Sequence, residues 1–122
     1  MHSVWGNEFK KEVQLAFLVC LALLPEAVNA QFTFTTSESG VIVTGHTGSS
    51  RVVKIPETIN NLPVIAVGGN TFYFNTNILS VTIPNRVTSI EVGAFMNCSG
   101  LRSVRMGYSV ANIGINAFYN TA

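Results

Sequence analysis

The sequence contains no aspartate, and charged side chains of both signs together make up only 11% of its 122 residues. Beyond residue 30, His46 is the only histidine, Cys98 the only cysteine, and Glu38, Glu57 and Glu91 the only acidic side chains. Each scarcity excludes something. Without aspartate a Ser-His-Asp triad cannot be assembled, and only a glutamate variant stays formally open. One cysteine cannot close an internal disulfide. Together with one histidine it also falls short of the ligand spacing of a structural zinc site. No run of five or more basic residues exists, so the chain lacks the electrostatic footprint of a nucleic-acid-binding protein.

Long apolar runs are equally few. The unbroken stretch 15–24 is about half of the roughly 20 residues a membrane-spanning helix needs. Lys10 and Lys11 precede it, Pro25 breaks it, and Val28 and Ala30 stand at the −3 and −1 positions before Gln31. Residues 1–30 therefore read as a secretory signal with cleavage after Ala30, in preference to an uncleaved anchor. Cys20 follows Val19, where a lipoprotein signal needs a small residue. The expected product is exported, secreted or held at the cell surface, and meets the membrane only through this segment. Its charge is low, with Arg51, Lys54, Arg86, Arg102 and Arg105 set against the three glutamates.

Beyond the leader the chain is patterned for strands. Residues 32–36 alternate aromatic and hydroxyl side chains, residues 37–40 form a turn signal, and residues 41–44 are β-branched up to Gly45. That order predicts a β-hairpin with one buried face. A polar loop with glycines at 45 and 48 is expected to come next and complete a segment at 31–50, with His46 solvated in the loop.

From residue 51 the chain repeats itself. Val81-Thr82-Ile83-Pro84 is echoed 23 residues later by Val104-Arg105-Met106-Gly107. At the same spacing Val67, Ile90 and Ile113 correspond, as do Phe72, Phe95 and Phe118, and Ile78 and Leu101. Val53-Lys54-Ile55-Pro56 opens an earlier copy that carries five extra residues near positions 60–64, expected as a loop on the rim. Fixed-period self-similarity of this length is the signature of a solenoid. The class is mainly β, with about three coils over residues 51–122 and the hairpin covering the first coil. The sequence stops four residues after Phe118, inside a copy, which reads as a fragment of a longer array.

Each coil can be assigned roles. A Val-x-Ile segment makes a short strand with branched residues inward, and Pro56 or Pro84 ends its pairing. Alanine then permits close approach, and phenylalanine fills the interior. The expected core is Ile55, Val67, Phe72, Ile78, Val81, Ile83, Ile90, Phe95, Leu101, Val104, Ile113 and Phe118. Met106 is expected inside with Val104, and Cys98 to pack as a small hydrophobe. Tyr73, Phe74 and Tyr119 flank two of the core phenylalanines and face outward or the coil edge. Lys54, Thr82 and Arg105 share one phase and project from the exposed face of the strands, which makes them the candidate contact surface.

No constellation of catalytic, metal or cofactor residues emerges. Glu57 and Glu91 occupy different repeat phases, so they do not form the carboxylate pair of a glycoside hydrolase. Gly68-Gly69-Asn70 lacks a following lysine or helix and reads as a turn. Asn97-Cys98-Ser99 meets the minimal glycosylation rule, with cysteine in the middle counting against its use.

The spacing Leu-x-x-Val-x-Ile-Pro-x-x-Val-x-x-Ile-Gly-x-x-Ala-Phe-x-x-Cys resembles the BspA-type leucine-rich repeat. Ile78, Val81, Ile83, Pro84, Val87, Ile90, Ala94, Phe95 and Cys98 match it. Glu91 replaces a glycine, and in the last copy Gly107 replaces the proline and Thr121 the cysteine. The resemblance implies a leucine-rich-repeat solenoid. It also implies a non-catalytic extracellular or cell-surface module that binds a protein or glycan partner, or a structural spacer within a longer surface array. Self-association through an uncapped C-terminal coil is a further expectation.

Overall fold

Two ladders of short strands run the length of the repeats. The computed structural model describes residues 31–122; the expected signal and its cleavage site after Ala30 lie outside the described residues. The strands are β1 (Phe32–Thr36), β2 (Val41–His46), β3 (Val52–Lys54), β4 (Thr58–Ile59), β5 (Leu62–Val67), β6 (Ser80–Thr82), β7 (Ser89–Ile90), β8 (Ser103–Arg105) and β9 (Asn112–Ile113). Everything else among the described residues is turn or irregular chain, and none of it is helix.

One sheet has the order β1-β2-β5-β7-β9, with β4 paired to β5, and the other the order β3-β6-β8. Within each coil the chain visits the second sheet, turns at Pro56, Pro84 or, in the last coil, Gly107, and crosses to the first. Register tracks the repeat: Val53, Val81 and Val104 are neighbours, and so are Val67, Ile90 and Ile113. The N-terminal hairpin is antiparallel within itself, yet β2 joins β5 in parallel, so it extends the sheet of the coils at the first coil. Thr71 fastens this junction, its buried hydroxyl lying 2.9 Å from the Val43 carbonyl oxygen and 2.7 Å from that of Gly68.

The five extra residues do not form the rim loop expected from sequence. They fold as a hairpin in which Thr58 and Ile59 pair with Pro63 and Leu62. Asn60 and Asn61 both take positive φ, 52° and 65°. Two left-handed residues in succession give the tight turn whose twist matches antiparallel strands, and asparagine tolerates that conformation. Ile59 is thereby buried in the core.

A column of rings fills the interior. Phe72, Phe95 and Phe118 stack nearly parallel, with centroids 4.9 and 5.1 Å apart and interplanar angles of 5° and 6°. The column continues past Phe72 through His46 at 5.4 Å to Phe32 at 4.9 Å. Placing His46 here corrects its reading as a solvated loop residue. Strand β2 runs on through Gly45 instead of ending there, and carries the imidazole into phase with the phenylalanines.

Most of the expected core is buried: Ile55, Val67, Phe72, Ile78, Val81, Ile83, Ile90, Phe95 and Leu101 are enclosed, as are Cys98 and Ala117. The last coil departs from that pattern. Ile113, expected inside, is 52% exposed, and Met106 is exposed as well. Val104 and Phe118 are half-buried. The reason is geometric. Ile90 is covered on one side by Val67 and on the other by Ile113, whereas among the described residues no strand comes after β9 to cover Ile113.

Candidate functional site

Strands β3, β6 and β8 alternate in the manner of a half-buried sheet. Their central valines point inward, while Lys54, Thr82 and Arg105 form one in-register row on the outer side. Lys54 and Arg105 are exposed and Thr82 is half-buried. Backbone ladders hold the row, with the Ile55 N–H donating to the Thr82 carbonyl at 3.1 Å and the Ile83 N–H to the Arg105 carbonyl at 2.8 Å. Adjacent strands are roughly 4.8 Å apart, so the two cations stand roughly 10 Å apart with a hydroxyl between them.

The row lines an open groove of 480 Å³. Ile55, Ile83 and Met106 contribute to it, and Glu57, Pro84, Asn85 and Gly107 complete the lining. Gly107, standing where the other coils have proline, allows the close approach there: a Cβ would lie 2.5 Å from the Pro84 carbonyl oxygen. The charge balance is two cations to one carboxylate, so the groove has a net positive character. It can hold an acidic group by charge and a polar one through Thr82 and Asn85.

Among the described residues the other chemistry-bearing side chains are not assembled into a site. Glu57 lines this groove, while Glu91 comes directly after β7 on the other sheet, its N–H donating to the Val67 carbonyl at 2.9 Å. Both His46 ring nitrogens are buried and have no hydrogen-bond partner among the described residues. Burial pushes the imidazole below its ordinary value, and the rings on either side offer it no counter-charge. Cys98 is buried, and its thiol donates to the Phe72 carbonyl oxygen at 2.9 Å. Burial raises its pKa, against an opposing backbone hydrogen bond at Asn75. Among the described residues no three histidine, cysteine or acidic side chains converge as metal ligands.

A second face emerges as a unit only in three dimensions. After Phe72 and again after Phe95 the chain makes a tight turn whose backbone is bonded to the next coil. The Phe74 N–H donates to the Met96 carbonyl at 2.9 Å and the Asn97 N–H to the Tyr119 carbonyl at 2.8 Å. These bonds align Tyr73, Met96 and Tyr119 in one row, and Phe74, Asn97 and Asn120 in the row beside it. Tyr73, Phe74 and Tyr119 are exposed, as their flanking positions imply. The signal the sequence offers for this face is a mismatch of phase: phenylalanine stands where the two later copies have asparagine.

Residues 65–122 match the sequence model of the BspA type leucine rich repeat region (6 copies). Solved structures share the fold. A leucine rich repeat protein of T. pallidum is 27% identical with a TM-score of 0.73 over 75% of this chain and 44% of that one. A leucine-rich repeat protein from Bacteroides capillosus is 30% identical, with a TM-score of 0.65 over 72% of this chain and 70% of that one. A leucine rich cell surface protein from Faecalibacterium prausnitzii is 29% identical, with a TM-score of 0.66 over 74% of this chain and 26% of that one. The chain thus spans less than half the length of the first of these relatives. No curated protein matches it.

Proposed function

The chain belongs to the BspA-type leucine-rich repeat family, and on that premise we propose that it is an exported, non-catalytic module that binds a protein or glycan partner at the cell surface. The observation that carries this reading is the in-register row of Lys54, Thr82 and Arg105 along an open groove. A repeated, extended face of this kind gains affinity by matching a long partner surface. Its surplus of positive charge suits an acidic protein patch or an acidic glycan. The surface location is supported by the leader pattern in residues 1–30 and by the Faecalibacterium relative, which is a cell surface protein. The non-catalytic reading is supported by the unpartnered His46 nitrogens and by the separation of Glu57 from Glu91.

The test is binding of the chain to a panel of extracellular-matrix proteins and acidic glycans, with and without the paired changes Lys54→Ala and Arg105→Ala. Binding is expected to fall about tenfold or more, and wild-type binding to weaken as salt rises. Unchanged binding by a folded double variant would remove this face from the proposal.

A structural spacer within a longer surface array is the second reading. It predicts no binding to any member of the panel. Self-association belongs to the same proposal: Ile113 and Ile115 are 52% and 74% exposed beside the open edge of β9. Light scattering at increasing concentration reports it directly.

A further inference from the structure

We infer that the face bearing Tyr73, Met96 and Tyr119, with Phe74, Asn97 and Asn120 beside them, binds an extended, uncharged glycan strand lying along the solenoid axis. The inference rests on the reading of this chain as a binding module, but it assigns a different face from the basic groove and a different ligand chemistry.

Three observations carry it. The first is strain at an exposed aromatic. Phe74 has φ 61° and is 61% exposed. A left-handed backbone is unfavourable for a bulky side chain and well tolerated by asparagine. The array supplies its own comparison, since Asn97 and Asn120 hold the same phase with φ of 62° and 58°. The coil therefore folds with asparagine at this position, and a phenylalanine there is neither required by the backbone nor buried by the core. Strained residues of this kind concentrate where function holds them.

The second observation is charge. Residues 73–77, 96–100 and 117–122 include no aspartate, glutamate, lysine, arginine or histidine. What they present is aromatic rings, a thioether, amides and hydroxyls. Rings can cover the C–H face of a pyranose, while amides donate and accept toward its hydroxyls. Asn120 Nδ2 already donates to Asn97 Oδ1 at 3.0 Å, which orients both amides in one line along the coils. Tyr73 and Phe74 meet edge to face at 5.5 Å and an interplanar angle of 79°, forming a corner at one end of that line.

The third is length. Successive coils rise by the strand spacing, roughly 4.8 Å, so Tyr73 and Tyr119 stand roughly 10 Å apart with Met96 between them. An extended β-1,4-linked pyranose chain advances about one sugar per coil, and its disaccharide repeat matches the separation of the two tyrosines. A helical α-linked glucan does not keep that register. An apolar peptide could use the rings, but nothing in its geometry calls for a two-coil separation.

The experiment is isothermal titration of the purified full chain with cellohexaose, and with maltohexaose as the α-linked counterpart. Cellohexaose is expected to bind at least about tenfold more tightly. Changing Tyr73→Ala together with Tyr119→Ala should weaken cellohexaose binding about tenfold or more. Phe74→Asn gives the variant that cannot be dismissed as misfolded: it should lose affinity while its melting temperature holds or rises. No binding of cellohexaose by the folded wild type, or binding indifferent to the tyrosines, overturns the inference. If acidic partners still bind through Lys54 and Arg105 in that case, the broader reading stands and only the glycan face falls. Loss of both leaves the spacer.

Discussion

The imidazole of His46 lies 5.4 Å from the ring of Phe72 and tilts 39° against it, so a histidine joins Phe32 to the column that Phe95 and Phe118 continue. Its pKa is pushed down by burial. Below the unfolded-state pKa of about 6.5, the unfolded chain therefore binds a proton that the native chain resists. Stability from this group is expected to be full above that value and to fall as pH drops below about 6.5. Thermal melts across this window should show the decline in the wild type and lose most of it in His46→Phe. A melting temperature that is flat with pH in both would contradict the buried, unpartnered ring.

The aromatic column should not be uniform in energy. Phe95 has a ring on both faces, whereas Phe118 is half-buried with a ring on one. Phe95→Ala is expected to cost about 3–5 kcal/mol. The same change at Phe118 should cost about 1–2 kcal/mol, because part of its surface is already in water. Urea unfolding of the two variants compares them directly.

A matched pair in the sheet makes a parallel case. Ile90 is 1% exposed and Ile113 52%, although both stand at one repeat phase. Ile90→Ala should destabilise by about 2–5 kcal/mol, and Ile113→Ala by less than about 1 kcal/mol. Equal costs would mean that another surface covers Ile113 in solution.

Relief of backbone strain is expected at Phe74. Phe74→Asn should stabilise the chain by about 1 kcal/mol, the order of the penalty for a left-handed L-residue. Asn97→Phe, which introduces the same strain one coil later, should do the opposite in the same urea titration.

Cys98 should be inert in the folded chain. Its thiol is enclosed, committed to the Phe72 carbonyl, and raised in pKa. Maleimide labelling at neutral pH is expected to proceed only at the rate of unfolding and to become rapid in denaturant. Fast labelling under native conditions would place the thiol at the surface.

Much of the candidate surface is legible in the sequence. Counting residues assigns Lys54, Thr82 and Arg105 one phase, and parallel pairing puts them side by side because the rows of a parallel ladder keep sequence phase. The groove beneath them is not legible. It depends on how closely Gly107 approaches Pro84, a distance that no periodicity encodes. The Asn60 and Asn61 hairpin escapes a sequence reading for a different reason: its strands β4 and β5 pair over so few residues that the turn signal dominates the segment. His46 escapes because a glycine in front of a polar stretch signals the end of a strand, whereas the ladder here continues through Gly45.

The repeat period by itself determined the architecture, the shared outward phase of Lys54, Thr82 and Arg105, and the recurrence of Phe72, Phe95 and Phe118 at one interior phase. All three come from local chain geometry iterated at a constant step. Only the tertiary structure decided how deeply each equivalent residue is buried, and that a histidine and a further phenylalanine complete the column. Burial in a solenoid is supplied by neighbours on both sides, so identical residues such as Ile90 and Ile113 meet different surroundings at different places along the axis.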